Sequence, residues 1–179
     1  MPAYIALLRA VNVSGTNKLS MAEFRKMLEG LGYKRVETYI QSGNAVFDAP
    51  GPAAKVAKAV AAGLERLLGA PVGVVLRTHE ELGRVIAGNP FAVEAAASGA
   101  RVHAIFLSGI PAPETIPALA RIPVRSERYH HSEDTLYLHL PDGAGESKFQ
   151  AKTLDRILGV QVTARNWNTV LKLYEMSRR

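Results

Sequence analysis

Four strand-length apolar runs and two helix-period segments follow one another in the order βαββαβ between Ala3 and Leu76, and the order returns between Val102 and Ala164. This double succession of periods constrains the chain more than its composition does. In the first half, Ala3 to Arg9 reads as a strand and Asn12 to Lys18 as a polar, Gly-containing loop. Ser20 and Glu23 then form an S-x-x-E capping box ahead of Phe24, Met27, Leu28 and Leu31, with Gly32 as the stop. Val36 to Ile40 and Ala45 to Phe47 are predicted to pair around Ser42-Gly43-Asn44. Pro52 opens a second helix with Val56, Val60, Leu64 and Leu67 on one face, closed by Gly69, and Val72 to Leu76 is the fourth strand. Thr78 and Glu81 cap a short helix that ends near Asn89-Pro90.

In the second half, Val102 to Leu107 is a strand, and the prolines at 111, 113 and 117 permit only a short helix near Thr115. Val124 to His130 and Thr135 to Leu140 are expected to pair around Ser132-Glu133-Asp134. Ser147 with Gln150 caps a helix carrying Leu154, Ile157 and Leu158, and Val160 to Ala164 is the eighth strand. Trp167, Val170, Leu171 and Tyr174 give a final helix with one apolar face. The expected class is α+β: two tandem ferredoxin-like subdomains packed together, 1–90 and 102–179, joined by an Ala- and Gly-rich linker over 91–101. The first strand is apolar at both parities, so both faces of its sheet should be covered.

With this order the first and second strands run the same way, so their ends share one edge. Arg9, Asn12, Ser14, Gly15, Asn17 and Lys18 are thereby expected opposite Gln41, Ser42, Gly43 and Asn44. A Gly-containing loop that opens a capped helix can hold an oxyanion, with Lys18 or Arg9 adding charge. Binding of a phosphorylated small molecule or nucleotide is the leading reading, although Gly, Ser and Asn are also what turns require. A second cluster is expected where the loop after the seventh strand meets the end of the eighth: Ser147, Lys148, Arg165, Asn166, Trp167 and Asn168. An enzyme whose two clusters meet in one cleft, with Lys148, Arg165 or Arg9 stabilising negative charge, is the alternative.

The 179 residues carry 22 Lys plus Arg against 16 Asp plus Glu, a net charge of +6. That excess favours anionic partners, but it is spread over both halves without a basic block, so nucleic acid is expected to bind at most weakly and without specificity. There is no cysteine, hence no disulfide, thiolate nucleophile or cysteine-ligated metal. Met1 to Leu8 holds no basic leader and Arg9 interrupts the apolar run, so no signal peptide is expected and the chain reads as cytoplasmic, with no membrane partner. Neither G-x-x-x-x-G-K-[ST] nor G-x-G-x-x-G nor H-E-x-x-H occurs. His130 and His131 are adjacent on a strand and make a poor metal site, while His103 and His139 are expected as neighbours on central strands. Neither a cofactor, a metal, a catalytic residue nor an oligomeric state follows from these residues.

The segments Leu7-Leu8-Arg9-Ala10-Val11-Asn12-Val13-Ser14-Gly15, Gly15-Thr16-Asn17-Lys18 and Tyr39-Ile40-Gln41-Ser42-Gly43-Asn44, with Asn89-Pro90-Phe91, Ser147-Lys148 and Thr163 to Val170, closely resemble the bacterial domain of unknown function 1697 family. Ser14 stands where that family more often has Gly, and Ala164 where it more often has Thr. The resemblance implies two ferredoxin-like subdomains and brings no established activity.

Overall fold

In the computed structural model, which describes residues 1–179, eight strands form two four-stranded antiparallel sheets. The first contains β1 (Ala3–Leu8), β2 (Lys34–Tyr39), β3 (Asn44–Asp48) and β4 (Val74–Thr78) in the order β2-β3-β1-β4. The second contains β5 (Val102–Leu107), β6 (Arg128–Ser132), β7 (Thr135–His139) and β8 (Val162–Asn166) in the order β6-β7-β5-β8. Six α-helices accompany them: α1 (Met21–Gly30), α2 (Ala53–Leu68), α3 (His79–Ala87), α4 (Ala92–Ala97), α5 (Ala151–Leu158) and α6 (Trp167–Met176). The α+β class is as expected. None of the helices is long and apolar enough to cross a membrane.

The chain divides into two compact units, residues 1–83 with 172–179 and residues 84–171, so the division falls inside α3 and α6. In the first unit, strand alternation turns Tyr4, Ala6, Leu8, Ala45 and Phe47 toward Phe24 and Leu28 of α1 and Val56, Val60 and Leu64 of α2. Ile5 and Leu7, on the other parity of β1, are equally buried. Residues 172–179 belong to this unit through specific contacts. His79 stacks on Tyr174 at 4.2 Å, and the Arg179 guanidinium donates to the Arg35 carbonyl at 2.8 Å and to Glu37 Oε1 at 3.0 Å. It also lies 3.5 Å from Asp48 Oδ1, whose other oxygen accepts from Arg35 Nε. Arg35 is left-handed at φ 49° within the β2 bulge, which aims its side chain at Asp48. In the second unit, Ile105, Leu107, Leu136, Leu138 and Val162 pack with Leu154 and Leu158 of α5 and Leu119 of a 3₁₀ helix (Pro113–Arg121).

Several boundaries depart from the sequence reading for identifiable reasons. The linker expected over 91–101 is ordered as α4 and a 3₁₀ turn (Gly99–Arg101). Strand β6 starts at Arg128 rather than Val124, because the Glu127 carboxylate takes the N–H groups of Arg125 (2.6 Å) and Ser126 (3.2 Å) that a ladder would have used. Those bonds also hold the Glu127 carboxyl below its ordinary pKa. Helix α5 starts at Ala151, since Ser147 Oγ accepts the Phe149 N–H and so does not cap the helix; the Gln150 side chain donates instead to the Ser147 carbonyl at 2.6 Å. Strands β4 and β8 run two residues later than expected. They thereby include Arg77 and Arg165 and end on the caps Thr78 and Asn166.

Candidate functional site

Residues 9–20, between β1 and α1, fold as a miniature hairpin rather than an open loop. The Asn12 N–H donates to the Asn17 carbonyl (3.1 Å) and the Thr16 N–H to the Val13 carbonyl (3.0 Å). Ser14 (φ 52°) and Gly15 (φ 74°) occupy the two central positions of that turn, both left-handed as the twist of a hairpin favours. Ala10, Asn12 and Asn17 are left-handed as well. Each non-Gly residue in that region costs about 1 kcal/mol, so side-chain hydrogen bonds have to hold the shape.

Asn12 supplies most of them. Its Nδ2 donates to the carbonyls of Leu19 (2.8 Å) and Gln41 (2.7 Å), and its Oδ1 accepts the Leu19 N–H at 2.8 Å. Across the edge, buried Asn44 donates from Nδ2 to the Tyr39 carbonyl (2.9 Å) and to Ser42 Oγ (2.9 Å), which shapes the turn after β2. The Leu8 N–H donates to the Gly43 carbonyl at 2.9 Å and joins the two segments.

Arg9, Asn12, Ser14, Gly15, Asn17 and Lys18 thus share an edge with Gln41, Ser42, Gly43 and Asn44, and the arrangement divides them by task. Asn12, Gly43 and Asn44 form the frame, with the amide nitrogen of the exposed Asn12 bonded to two backbone carbonyls of the chain. Asn17 Nδ2 reaches only the Ala10 carbonyl, at 3.3 Å. An open concavity of about 560 Å³ lies at this edge, lined by Asn12, Gly15, Lys18, Gln41 and, from the start of α1, Ser20 and Glu23.

The sequence treats Glu23 as half of a capping box, but only the other half forms. Ser20 Oγ accepts the Glu23 N–H at 3.0 Å, while no bond returns from the Glu23 carboxylate to the Ser20 N–H. At Thr78 and Glu81 both bonds are made, at 2.8 and 3.2 Å. Glu23 and Lys18 therefore stand exposed in the concavity, neither in an ion pair. The signal for Glu23 was present at the helix start; that its carboxylate is left over is a tertiary fact.

The second set of residues is not gathered in the same way. Arg165 pairs with Ala104 across the ladder, on the face opposite the one through which Val162 meets α5. It donates to Thr163 Oγ1 and the Ala164 carbonyl, each at 2.8 Å, and burial lowers its pKa to about 10. Lys148 lies on the helical side, beside Gln150 and Arg121, so the sheet separates it from Arg165. Ser147 is buried in the turn before α5, Asn166 caps α6 by accepting the Thr169 N–H at 3.0 Å, and Trp167 is buried. Asn168 lies against Gly99, where an added Cβ would come within 2.1 Å of its Oδ1. Arg77, which no motif in the sequence marks, occupies in β4 the place that Arg165 holds in β8: both are buried and each donates to the carbonyl of the preceding residue.

The histidines do not form a catalytic or metal-binding group. His139 pairs with Val102 and His103 with Leu138, so these two point to opposite faces rather than neighbouring each other as expected. His79 Nδ1 lies 2.8 Å from Ser177 Oγ, but that hydroxyl donates to the Tyr174 carbonyl at 2.9 Å. The imidazole is therefore the donor in the pair and does not activate the serine. No group of three or more His, Asp or Glu side chains is placed to hold a metal ion.

His103 Nδ1 is buried without a hydrogen-bond partner, and burial lowers the ring's pKa. Between the ordinary histidine range and the depressed folded value the unfolded chain binds more protons, so stability is full above about pH 6.5 and falls as the pH drops through that range. Urea midpoints at about pH 7.5 and about pH 5.5 should therefore differ less for His103→Leu than for the unmodified protein. An equal difference in both would remove this role.

A family model described as a protein of unknown function (DUF1697) matches residues 1–137. The chain belongs to this family. The matched span of the DUF1697 model contains every residue of the first cluster and none of the second. Among solved structures, this DUF1697 member is similar to the conserved bacterial protein SP0830 from Streptococcus pneumoniae, with a TM-score of 0.76 and 22% identity over 99% of each chain. At that identity the likeness concerns the fold alone. Comparison with curated proteins yields no match.

Proposed function

We propose that this DUF1697 member consists of two ferredoxin-like subdomains and binds a phosphorylated small molecule, a sugar phosphate or nucleotide, at the edge where β1 and β2 end. The strand orders β2-β3-β1-β4 and β6-β7-β5-β8 support the first part, being those of a split βαβ unit. The concavity between the residue 12–18 hairpin and the first turn of α1 carries the second. It presents one exposed cation, Lys18, and one exposed carboxylate, Glu23, with the Gln41 amide between the two segments. Lys18 suits a phosphate, and Glu23 suits the hydroxyl donors of a sugar or ribose; a bare multivalent anion would meet repulsion from Glu23. The volume is within the range of small-molecule sites.

A thermal-shift and native mass-spectrometry series of nucleotides, sugar phosphates and the matching unphosphorylated sugars tests this reading. At least one phosphorylated member should raise the melting temperature, with the shift lost in Lys18→Ala and reduced in Glu23→Gln. Both side chains are exposed and outside the hydrogen-bonded frame, so neither substitution should change the unliganded melting temperature appreciably. Absence of any shift across the series, or an undiminished shift in Lys18→Ala, removes the proposal.

A further inference from the structure

Within the second unit, a cavity of about 450 Å³ opens between the 3₁₀ helix (Pro113–Arg121) and α5. Its charge is one-sided. Arg121 enters from the end of the 3₁₀ helix, Lys148 from the loop before α5 and Arg156 from α5 itself, and no carboxylate lines it. None of these three cations makes a hydrogen bond or ion pair within the chain. Some cations elsewhere are matched, as in Arg25 with Glu29, Arg125 with Glu146 and Arg128 with Glu94, and others such as Lys18 and Lys26 stand singly; here three gather at one concavity.

The fold does not require this. The corresponding cavity of the first unit, between α1 and α2, has about 570 Å³ and mixes Glu23 with Lys26 and Arg66. Bringing three like charges to one concavity disfavours the folded state unless an anion joins them. The floor is apolar: Ala118 and Ile157 are half-buried and Ile122 is buried. A bare inorganic anion would leave that floor uncovered, whereas an anionic head on a flat or short apolar body would use both parts.

We propose that this cavity is a ligand site for a small amphiphilic anion, an aryl or short acyl phosphate or carboxylate, with its head among Arg121, Lys148 and Arg156 and its body on Ala118, Ile122 and Ile157. The site is separate from the one proposed at Lys18 and stands whether or not that reading holds.

Titration calorimetry with 1-naphthyl phosphate, inorganic phosphate and 1-naphthol tests both halves of the recognition. Naphthyl phosphate should bind at least about tenfold more tightly than either of the others, since each supplies only one of the two contacts. The double variant Arg121→Gln/Arg156→Gln should weaken naphthyl phosphate about tenfold, each exposed ionic contact contributing a severalfold factor. Lys26→Gln and Lys18→Ala should leave it unchanged. All variants are melted alongside the unmodified protein, and since the two arginine side chains make no hydrogen bond or ion pair within the chain, the double variant should melt no lower. Equal binding by the double variant, or phosphate alone binding as well as naphthyl phosphate, would overturn the assignment. A lipid headgroup shares this chemistry, so sedimentation with phosphatidylcholine vesicles with and without phosphatidylglycerol is run in parallel; retention on the anionic vesicles without binding of free naphthyl phosphate would also overturn it.

Discussion

Gly43→Ala should lower the unfolding free energy by about 3 kcal/mol, the sum of two separable costs. Gly43 is left-handed at φ 88°, which a residue with a Cβ adopts at a cost of about 1 kcal/mol. The added Cβ would also stand 2.6 Å from Val11 Cγ2 and 2.8 Å from Leu8 Cβ. Both neighbours are buried in the first unit's core, and neither contact is the far end of a flexible side chain, so relief demands movement of the backbone and costs about 2 kcal/mol more. Gly32 provides the control. Its φ is 87°, but nothing lies within 4 Å of a Cβ built there, so Gly32→Ala should carry the conformational cost alone, about 1 kcal/mol. Urea unfolding followed by circular dichroism separates the two. If Gly43→Ala proves no worse than Gly32→Ala, the close approach of the two loop segments is wrong.

Asn12→Ala should cost about 2 kcal/mol, the second largest effect. It removes three hydrogen bonds, two of them to the backbone of Leu19, a residue 2% exposed, and it leaves an alanine in a left-handed conformation that asparagine tolerates better. Water can replace the bond to the Gln41 carbonyl more readily than those to Leu19, which keeps the total below three full bonds. Asn12→Asp is the sharper variant. It retains the acceptor for the Leu19 N–H but sets a carboxylate oxygen against the carbonyls of Leu19 and Gln41, so it should destabilise at neutral pH and recover when the acid is protonated. Hydrogen exchange at the Leu19 amide should accelerate in Asn12→Ala, which loses that acceptor, and less in Asn12→Asp, which keeps it. Unchanged stability and exchange would return Asn12 to the set available for a ligand.

These two residues also show what the sequence conveyed and where it stopped. Local pattern was enough for the order of the eight strands and the helices between them, though not for α4, because periodicity and caps act within a few residues. Ser20 with the Glu23 N–H, the reciprocal pair Thr78 and Glu81, and the left-handed stops Gly69 and Gly159 all stand where the sequence places them. The βαββαβ order also brings the ends of β1 and β2 to one edge, which is why the sequence alone places Arg9 to Lys18 beside Gln41 to Asn44.

Which polar groups at that edge remain available was decided by tertiary structure alone. A hydrogen bond depends on where a distant carbonyl lies: Asn12 is spent on Leu19 and Gln41, and Asn44 on Tyr39 and Ser42, while Glu23 is released by a capping bond that does not form. The same reason displaced β6, where Glu127 captures backbone donors, and left the gathering of Arg121, Lys148 and Arg156 invisible in one dimension, since they come from three separate segments. The sequence by itself determined most of the elements and those caps, such as Ser20 and the pair Thr78 and Glu81, that depend only on neighbours three or four residues away. Only the folded chain determined which side chains are consumed in holding it together, because desolvation and hydrogen-bond partnership are properties of the surroundings and not of the residue.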